Sequence, residues 1–188
     1  MKNLKKLALI FVGITVFVSC SKDDNPVPTP VNEEEVITTV TTTLTNGSNV
    51  ITLKSRDLDG DGPNNPLITA SGNLVANTTY TGTVTFLNEI ANPTDNITEE
   101  VLAEGVDHQL FYQPSPASIG VFTYADTDVN GKPIGLQFSL TTGAAISGNL
   151  LVTLRHEPNK SAVGVSSGNI TNAGGATDAA VIYPVVIQ

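Results

Sequence analysis

Apolar and polar positions alternate along most of the chain after residue 35. Val36, Thr38, Val40, Thr42 and Leu44 share one phase, and Asn46-Gly47-Ser48-Asn49 reads as a turn. Val50 to Leu53 then begins a return strand, so the two runs predict a hairpin. Tyr80, Gly82, Val84 and Phe86 alternate with Thr79, Thr81, Thr83 and Thr85, giving one apolar face and one of threonine. The same period predicts strands over 67–71, 109–113, 120–124, 135–141 and 149–155, and Val181, Tyr183, Val185 and Ile187 mark a last one. β-branched residues, which fit a pleated surface, are abundant throughout. Residues 98–104 predict one helical turn, with Thr98 as its cap and Glu99 and Glu100 in the first turn. Short strands punctuated by Gly, Asn, Asp and Pro predict an all-β fold, an antiparallel, immunoglobulin-like β-sandwich of about eight strands. An α/β fold needs helices of ~10 residues or more between strands, and the pattern holds none.

The first 35 residues break this period. Lys2, Lys5 and Lys6 form a positive start, Leu7 to Val18 carries no charge, and Val18-Ser19-Cys20 closes the run on a small residue and a cysteine. These are the parts of a secretory signal peptide. The apolar run falls short of the ~20 residues of a comfortable membrane span. Cys20 is the only cysteine, so no intramolecular disulfide can form. Its place resembles the lipobox of bacterial lipoproteins, although Phe17 stands where leucine is commonest. The resemblance implies cleavage before Cys20 and acylation of that residue. Ser21-Lys22-Asp23-Asp24 resembles the export signal that sends Bacteroidota lipoproteins to the cell surface, with Lys22, Asp23 and Asp24 as its charged residues. From Asn25 to Glu35, prolines at alternate positions favour extended polyproline II, and Glu33, Glu34 and Glu35 repel one another. The expected organisation is a signal peptide over 1–19, a lipidated cysteine and tether over 20–35, and one β-sandwich domain over 36–188.

Charge narrows the partners. The chain has nine basic and eighteen acidic residues. Loss of Lys2, Lys5 and Lys6 with the leader leaves six basic residues against eighteen acidic ones, a formal charge of −12. Such a balance opposes binding to nucleic acid or to an anionic lipid surface, and attracts cations. The expected contact with a membrane is therefore through the lipid anchor only.

Two loops place oxygens at alternate positions before a glycine: Asp57, Asp59 and Asp61 before Gly62, and Asp126, Asp128 and Asn130 before Gly131. Alternate carboxylates on a tight turn converge on one point, as at the start of EF-hand and dockerin loops, which makes Ca2+ the candidate cofactor. The twelfth positions, where a bidentate glutamate belongs, are Ile68 and Gln137. Acidic turns between strands are the plainer explanation, since Asp, Asn and Gly form turns in their own right.

Other chemistry is sparse. His156 continues the apolar phase of Leu150, Val152 and Leu154, and His108 opens another strand beside Asp107. Strand-end histidines commonly serve as hydrogen-bonding groups. No cysteine or second histidine stands at metal-ligand spacing, which argues against a structural zinc site. No Gly-x-Ser-x-Gly elbow accompanies Ser161, Ser166 or Ser167, and Gly174-Gly175 reads as a turn rather than a phosphate loop. Tryptophan is absent. The tyrosines lie within strands, as core or cross-strand partners.

At Arg155-His156-Glu157-Pro158-Asn159-Lys160 and Ile170-Thr171-Asn172-Ala173-Gly174-Gly175 the chain resembles uncharacterised flavobacterial surface lipoproteins. Some of these carry the label "type 1 periplasmic binding fold", which implies an α/β domain, whereas the strand period here implies an all-β one. The expected function is that of an outer-membrane lipoprotein at the cell surface. It would be a non-enzymatic module that binds an extracellular ligand or protein partner, or builds the envelope. The alternative is a small hydrolase using His156 or His108 with nearby carboxylates.

Overall fold

The structure, a computed structural model, describes residues 35–60 and 62–188. Cys20, Lys22, Asp23, Asp24 and Asp61 lie outside the described residues, as do the signal peptide and all of the tether before Glu35. Nine strands follow one another: β1 (Thr39–Asn46), β2 (Asn49–Arg56), β3 (Leu67–Ala70), β4 (Thr79–Leu87), β5 (His108–Ser115), β6 (Gly120–Tyr124), β7 (Gln137–Thr142), β8 (Ile146–His156) and β9 (Ala176–Ile187). One short helix, α1 (Ile97–Ala103), joins β4 to β5. Among the described residues no helix is long and apolar enough to cross a membrane.

The strands form a six-stranded sheet in the order β3-β2-β1-β4-β7-β6 and a three-stranded sheet in the order β5-β8-β9. Every pairing of named strands is antiparallel. With β2 and β3 set aside, the orders are those of an immunoglobulin constant domain, four strands facing three. The hairpin partner β2 and the short β3 are additions inserted after the first strand, and they widen the larger sheet.

Alternation in sequence becomes burial in space. Tyr80, Gly82, Val84 and Phe86 of β4 are buried, while Thr79, Thr81, Thr83 and Thr85 are exposed. From the larger sheet Val40, Leu44, Phe86 and Phe138 meet Leu110, Val152, Tyr183 and Val185 of the smaller one in a single core. Each such side chain contributes roughly 1.5–3 kcal/mol on leaving water. Gly82 is the one inward position on β4 without a side chain. The ring of its register partner Phe138 occupies that space, and a Cβ at Gly82 would stand 2.2 Å from a Phe138 ring carbon.

Several element boundaries differ from expectation by a few residues. β1 starts at Thr39 rather than Val36, although the segment before it stays tied to the sheet, with the Thr38 amide donating to the Leu87 carbonyl at 2.9 Å. β9 starts at Ala176, five residues before the apolar alternation becomes regular at Val181. Thr98 does not cap α1. The cap position is Asn96, and the Thr98 hydroxyl accepts from the Phe86 amide at 2.8 Å and donates to the Phe86 carbonyl at 3.1 Å, riveting the helix to β4.

Candidate functional site

Antiparallel order makes one pole of the sandwich the meeting place of the start of β1, the start of β5, the end of β8 and the start of β9. Four titratable side chains converge there. His108 opens β5 and His156 ends β8, and the two are direct register partners. Both lie on the core-facing side, with ring centroids 4.7 Å apart and planes at 87°. Glu35 comes from the segment leading into β1. The charge of the glutamate run places it in the tether, yet its carboxylate is packed into the domain with only 5% of the side chain exposed.

Asp178 arrives through a bulge. The β8–β9 register pairs Leu154 with Ala179 and Arg155 with Thr177, so Asp178 is an extra residue with no partner of its own. A bulge of this kind re-aims a side chain. Without it Asp178, adjacent to the inward Ala179, would face outward. The turn feeding β9 is fixed by Gly174 and Gly175, both left-handed at φ 62° and 70°. A Cβ on Gly175 would stand 2.1 Å from the His156 carbonyl oxygen, so only glycine lets the turn pass so close to the end of β8.

The polar atoms face one another and little else. His108 Nε2 stands 2.8 Å from Glu35 Oε1 and 3.7 Å from Asp178 Oδ2. His156 Nδ1 stands 3.8 Å from both Glu35 Oε2 and Asp178 Oδ2. His108 and Asp178 side chains are 0% and 1% exposed. His108 Nε2, His156 Nδ1, Glu35 Oε2 and Asp178 Oδ2 have no hydrogen-bond partner, and together they are four of the six such buried atoms among the described residues. The other ring nitrogen of His108, Nδ1, is 3.2 Å from the Glu104 carbonyl oxygen just beyond α1. An Nδ1–H donated to that carbonyl leaves Nε2 as a bare lone pair aimed into the cluster. Burial, and after it the neighbouring Glu35 carboxylate, push the Asp178 carboxyl up to about 6, while both histidines pull the other way. Burial and the Glu35 charge also raise the Glu100 carboxyl of α1 above its ordinary range.

The two acidic loops sit at the same pole and are engaged differently. In the first, Asp57 Oδ1 accepts from the Gly60 amide at 3.0 Å, and Asp59 Oδ2 accepts from the Asn64 side-chain amide at 2.6 Å. The Asn64 bonds hold the exposed Asp59 carboxyl below its usual range. In the second, Asp126 accepts from the Gly135 and Gln137 amides, and Asp128 Oδ1 accepts from Asn130 and Lys132. A cation stands against this loop from within the chain: Lys160 Nζ lies 3.0 Å from Asp128 Oδ2 and donates also to the Gly105 carbonyl. Burial lowers the Lys160 pKa. Burial works against the Asp128 carboxylate, but the Lys132, Lys160 and Asn130 donors outweigh it and hold the pKa below its ordinary value. Neither loop brings three carboxylate or imidazole donors together among the described residues, whereas Glu35, His108, His156 and Asp178 all lie with donor atoms within 4.8 Å of one another.

Concave surface near these groups is shallow or small. An open groove of about 440 Å³ runs past Glu35, Thr38, Ser55, Asp57 and Asp178. A second, of about 480 Å³, passes Asp128 and Lys160. A cavity floored by Tyr112, Phe122 and Tyr124 holds about 120 Å³, well below the ~300–1,000 Å³ of small-molecule pockets.

No family model, no curated protein and no solved structure matches this chain.

Proposed function

We propose that this chain is a lipid-anchored, non-enzymatic module of the outer membrane. Acyl chains on Cys20 hold it, the Lys22-Asp23-Asp24 signal displays it at the cell surface, and the β-sandwich serves an extracellular ligand or protein partner or the envelope itself. The observation supporting the non-enzymatic half is the burial of the His108, His156, Glu35 and Asp178 side chains. A general base must come within hydrogen-bond reach of a substrate proton, about 2.6–3.2 Å or one water away. His108 is fully buried, and the Asp178, Glu35 and His156 side chains are 1%, 5% and 11% exposed. The groove past Glu35 and Asp178 meets these residues at their edges, and a hydrolase would need them turned out toward it. The anchoring half is supported by the charge-free run ending at Ser19-Cys20 and by the acidic residues behind it.

The test is shaving of intact cells. Added protease should remove the domain from cells carrying the parent chain. Replacing Lys22, Asp23 and Asp24 by alanine should protect it, and Cys20→Ala should abolish incorporation of an alkyne fatty acid. Complete protection of the parent on intact cells, or equal labelling of Cys20→Ala and parent, overturns the assignment.

A further inference from the structure

We propose that Glu35, His108, His156 and Asp178 form a closed, four-coordinate site for a divalent transition-metal ion of the zinc class, which clamps the segment before β1 to all three strands of the smaller sheet. The inference does not rest on the surface assignment. Sequence spacing argued against a structural zinc site, because the histidines are 48 residues apart. Strand pairing removes that objection by placing them side by side.

Four features carry the proposal. The first is convergence without partners. Four buried donor atoms, carried by four segments and without a hydrogen-bond partner outside the cluster, lie within 4.8 Å of one another. Buried polar atoms are nearly always satisfied, so such a group calls for a shared cation.

The second is the setting of the His108 ring. His108 Nδ1 faces the Glu104 carbonyl oxygen at 3.2 Å, and Nε2 stands only 2.8 Å from a Glu35 carboxylate oxygen. A nitrogen and a carboxylate oxygen at that distance need a positive charge between them, a metal ion or a proton, and the experiment below separates the two. A backbone carbonyl behind a histidine is also the usual second partner of a metal-bound ring.

The third is size. In a tetrahedron with bonds of ~2.0–2.2 Å, donors stand about 3.3–3.6 Å apart. The separations from Asp178 Oδ2 to His108 Nε2 and His156 Nδ1 are 3.7 and 3.8 Å, close to that value, and one donor atom from each of the four residues lies within 4.8 Å of the others, so small side-chain shifts would close the shell.

The fourth is charge. As ligands, two neutral imidazoles and two carboxylates would bring −2, which a divalent ion cancels among side chains that are 0–11% exposed.

The donor set selects the metal. Two imidazole nitrogens and two carboxylate oxygens suit zinc and its borderline neighbours. Calcium takes about six to eight oxygens, which this site cannot offer. Four protein donors fill a tetrahedral shell and leave no open position, so the site is structural. The groove past Glu35 and Asp178 gives an ion its way in. Because Glu35 is carried by the segment leading into β1, loading the ion and docking that segment are one event.

The experiment uses the full chain in detergent. As purified, it should carry close to one equivalent of zinc, or of a first-row neighbour, by elemental analysis. Stripping with a chelator should lower Tm by several degrees. One equivalent of Zn2+ should restore it, and Ca2+ or Mg2+ at the same level should not. Co2+ in its place should give the strong visible absorption of a tetrahedral site. His156→Asn with Asp178→Asn should lose the metal and the chelator response while keeping its β circular dichroism. If that variant does not fold, the chelator and reloading series on the parent decides alone. A parent that binds no metal and whose Tm ignores both chelator and Zn2+ overturns the proposal and makes the cluster a set of shared protons. So does a folded double variant that retains the metal.

Discussion

The Lys160–Asp128 pair offers the sharpest test of how the N-terminal pole is held. Side chains of the two residues are 6% and 1% exposed, and Nζ and Oδ2 are 3.0 Å apart. Removing one member strands the other, and breaking a buried pair in this way costs about 3–5 kcal/mol. The two single variants should differ within that range. In Lys160→Met the stranded Asp128 keeps the Asn130 and Lys132 amides on Oδ1, at 2.8 and 2.9 Å. Its cost should be near the lower end, about 3 kcal/mol. In Asp128→Ala the ammonium keeps only the Gly105 carbonyl, and the two amides lose their acceptor. Its cost should approach about 5 kcal/mol. The double variant strands no charge. Its loss reduces to the turn bonds of Asn130 and Lys132, both exposed enough to find water, at about 1–2 kcal/mol. The double variant should therefore be more stable than Asp128→Ala alone, an interaction well outside the ~0.5 kcal/mol scatter of independent sites. Urea unfolding of the four proteins at one pH measures this through the midpoints. Additive losses would refute the reasoning, because they would mean that water already screens the pair.

The same pair sets an acid dependence. Asp128 has its pKa depressed in the folded chain, so its contribution is full above the unfolded value near ~4 and is lost as pH falls through the folded one. Asp128→Ala should accordingly show a flatter loss of stability than the parent over that acid window.

Two glycines give the remaining tests. Gly82→Ala must displace the buried Phe138 ring, which is packed on Tyr112 and Phe122, and should cost about 1–3 kcal/mol in unfolding midpoint; a change under ~0.5 kcal/mol would mean that the ring moves freely. Gly175→Ala combines φ 70° with a 2.1 Å approach to the His156 carbonyl and should cost at least ~2 kcal/mol by the same measurement; an unchanged midpoint would show that the turn does not depend on that contact.

What could be read from the residues was set by period. β4 shows it best, because threonines and apolar residues alternate there without a break and burial follows the alternation residue by residue. Strand order was not legible, since nothing local in β5 says that it pairs with β8 rather than with β4 or β6. The site inherits that blindness. His156 was visible as the continuation of an apolar face and His108 as a strand opener, but their contact exists only through the β5–β8 register. Asp178 was hidden by the period rule itself. Counting back by twos from Ile187 through Tyr183 and Val181 reaches Ala179 and then Thr177, which places Asp178 on the outer face. The bulge between Leu154 and Arg155 reverses that assignment. Glu35 was hidden by its neighbours, because a run of three glutamates reads as a solvated spacer whichever of them turns inward.

The two poles of the sandwich are closed by different means, and this explains why the chemistry lies where it does. At the far pole the connection between β3 and β4 crosses to the end of β9 chiefly through backbone, with one side-chain bond from the Asn73 amide to Gln188 Oε1 at 3.0 Å beside it. The Leu74 amide donates to the Val186 carbonyl at 2.8 Å, the Gln188 amide returns to Leu74 at 2.9 Å, and the Ala76 amide donates to Gln188 at 2.8 Å. These backbone bonds depend on no particular side chain. The pole where β1 begins carries the long connections after β2, β4, β6 and β8, and no comparable ladder spans the two sheets there among the described residues. Closure falls to side chains: Lys160 joins the loop after β8 to the loop after β6 through Asp128, and Glu35 reaches from the larger sheet to His108, His156 and Asp178 of the smaller one. Each uses a buried charge where the opposite pole uses an amide. A buried charge tolerates no missing partner, so the pole rich in titratable groups is also the one whose integrity depends on which cations, lysine ammonium or metal, are in place.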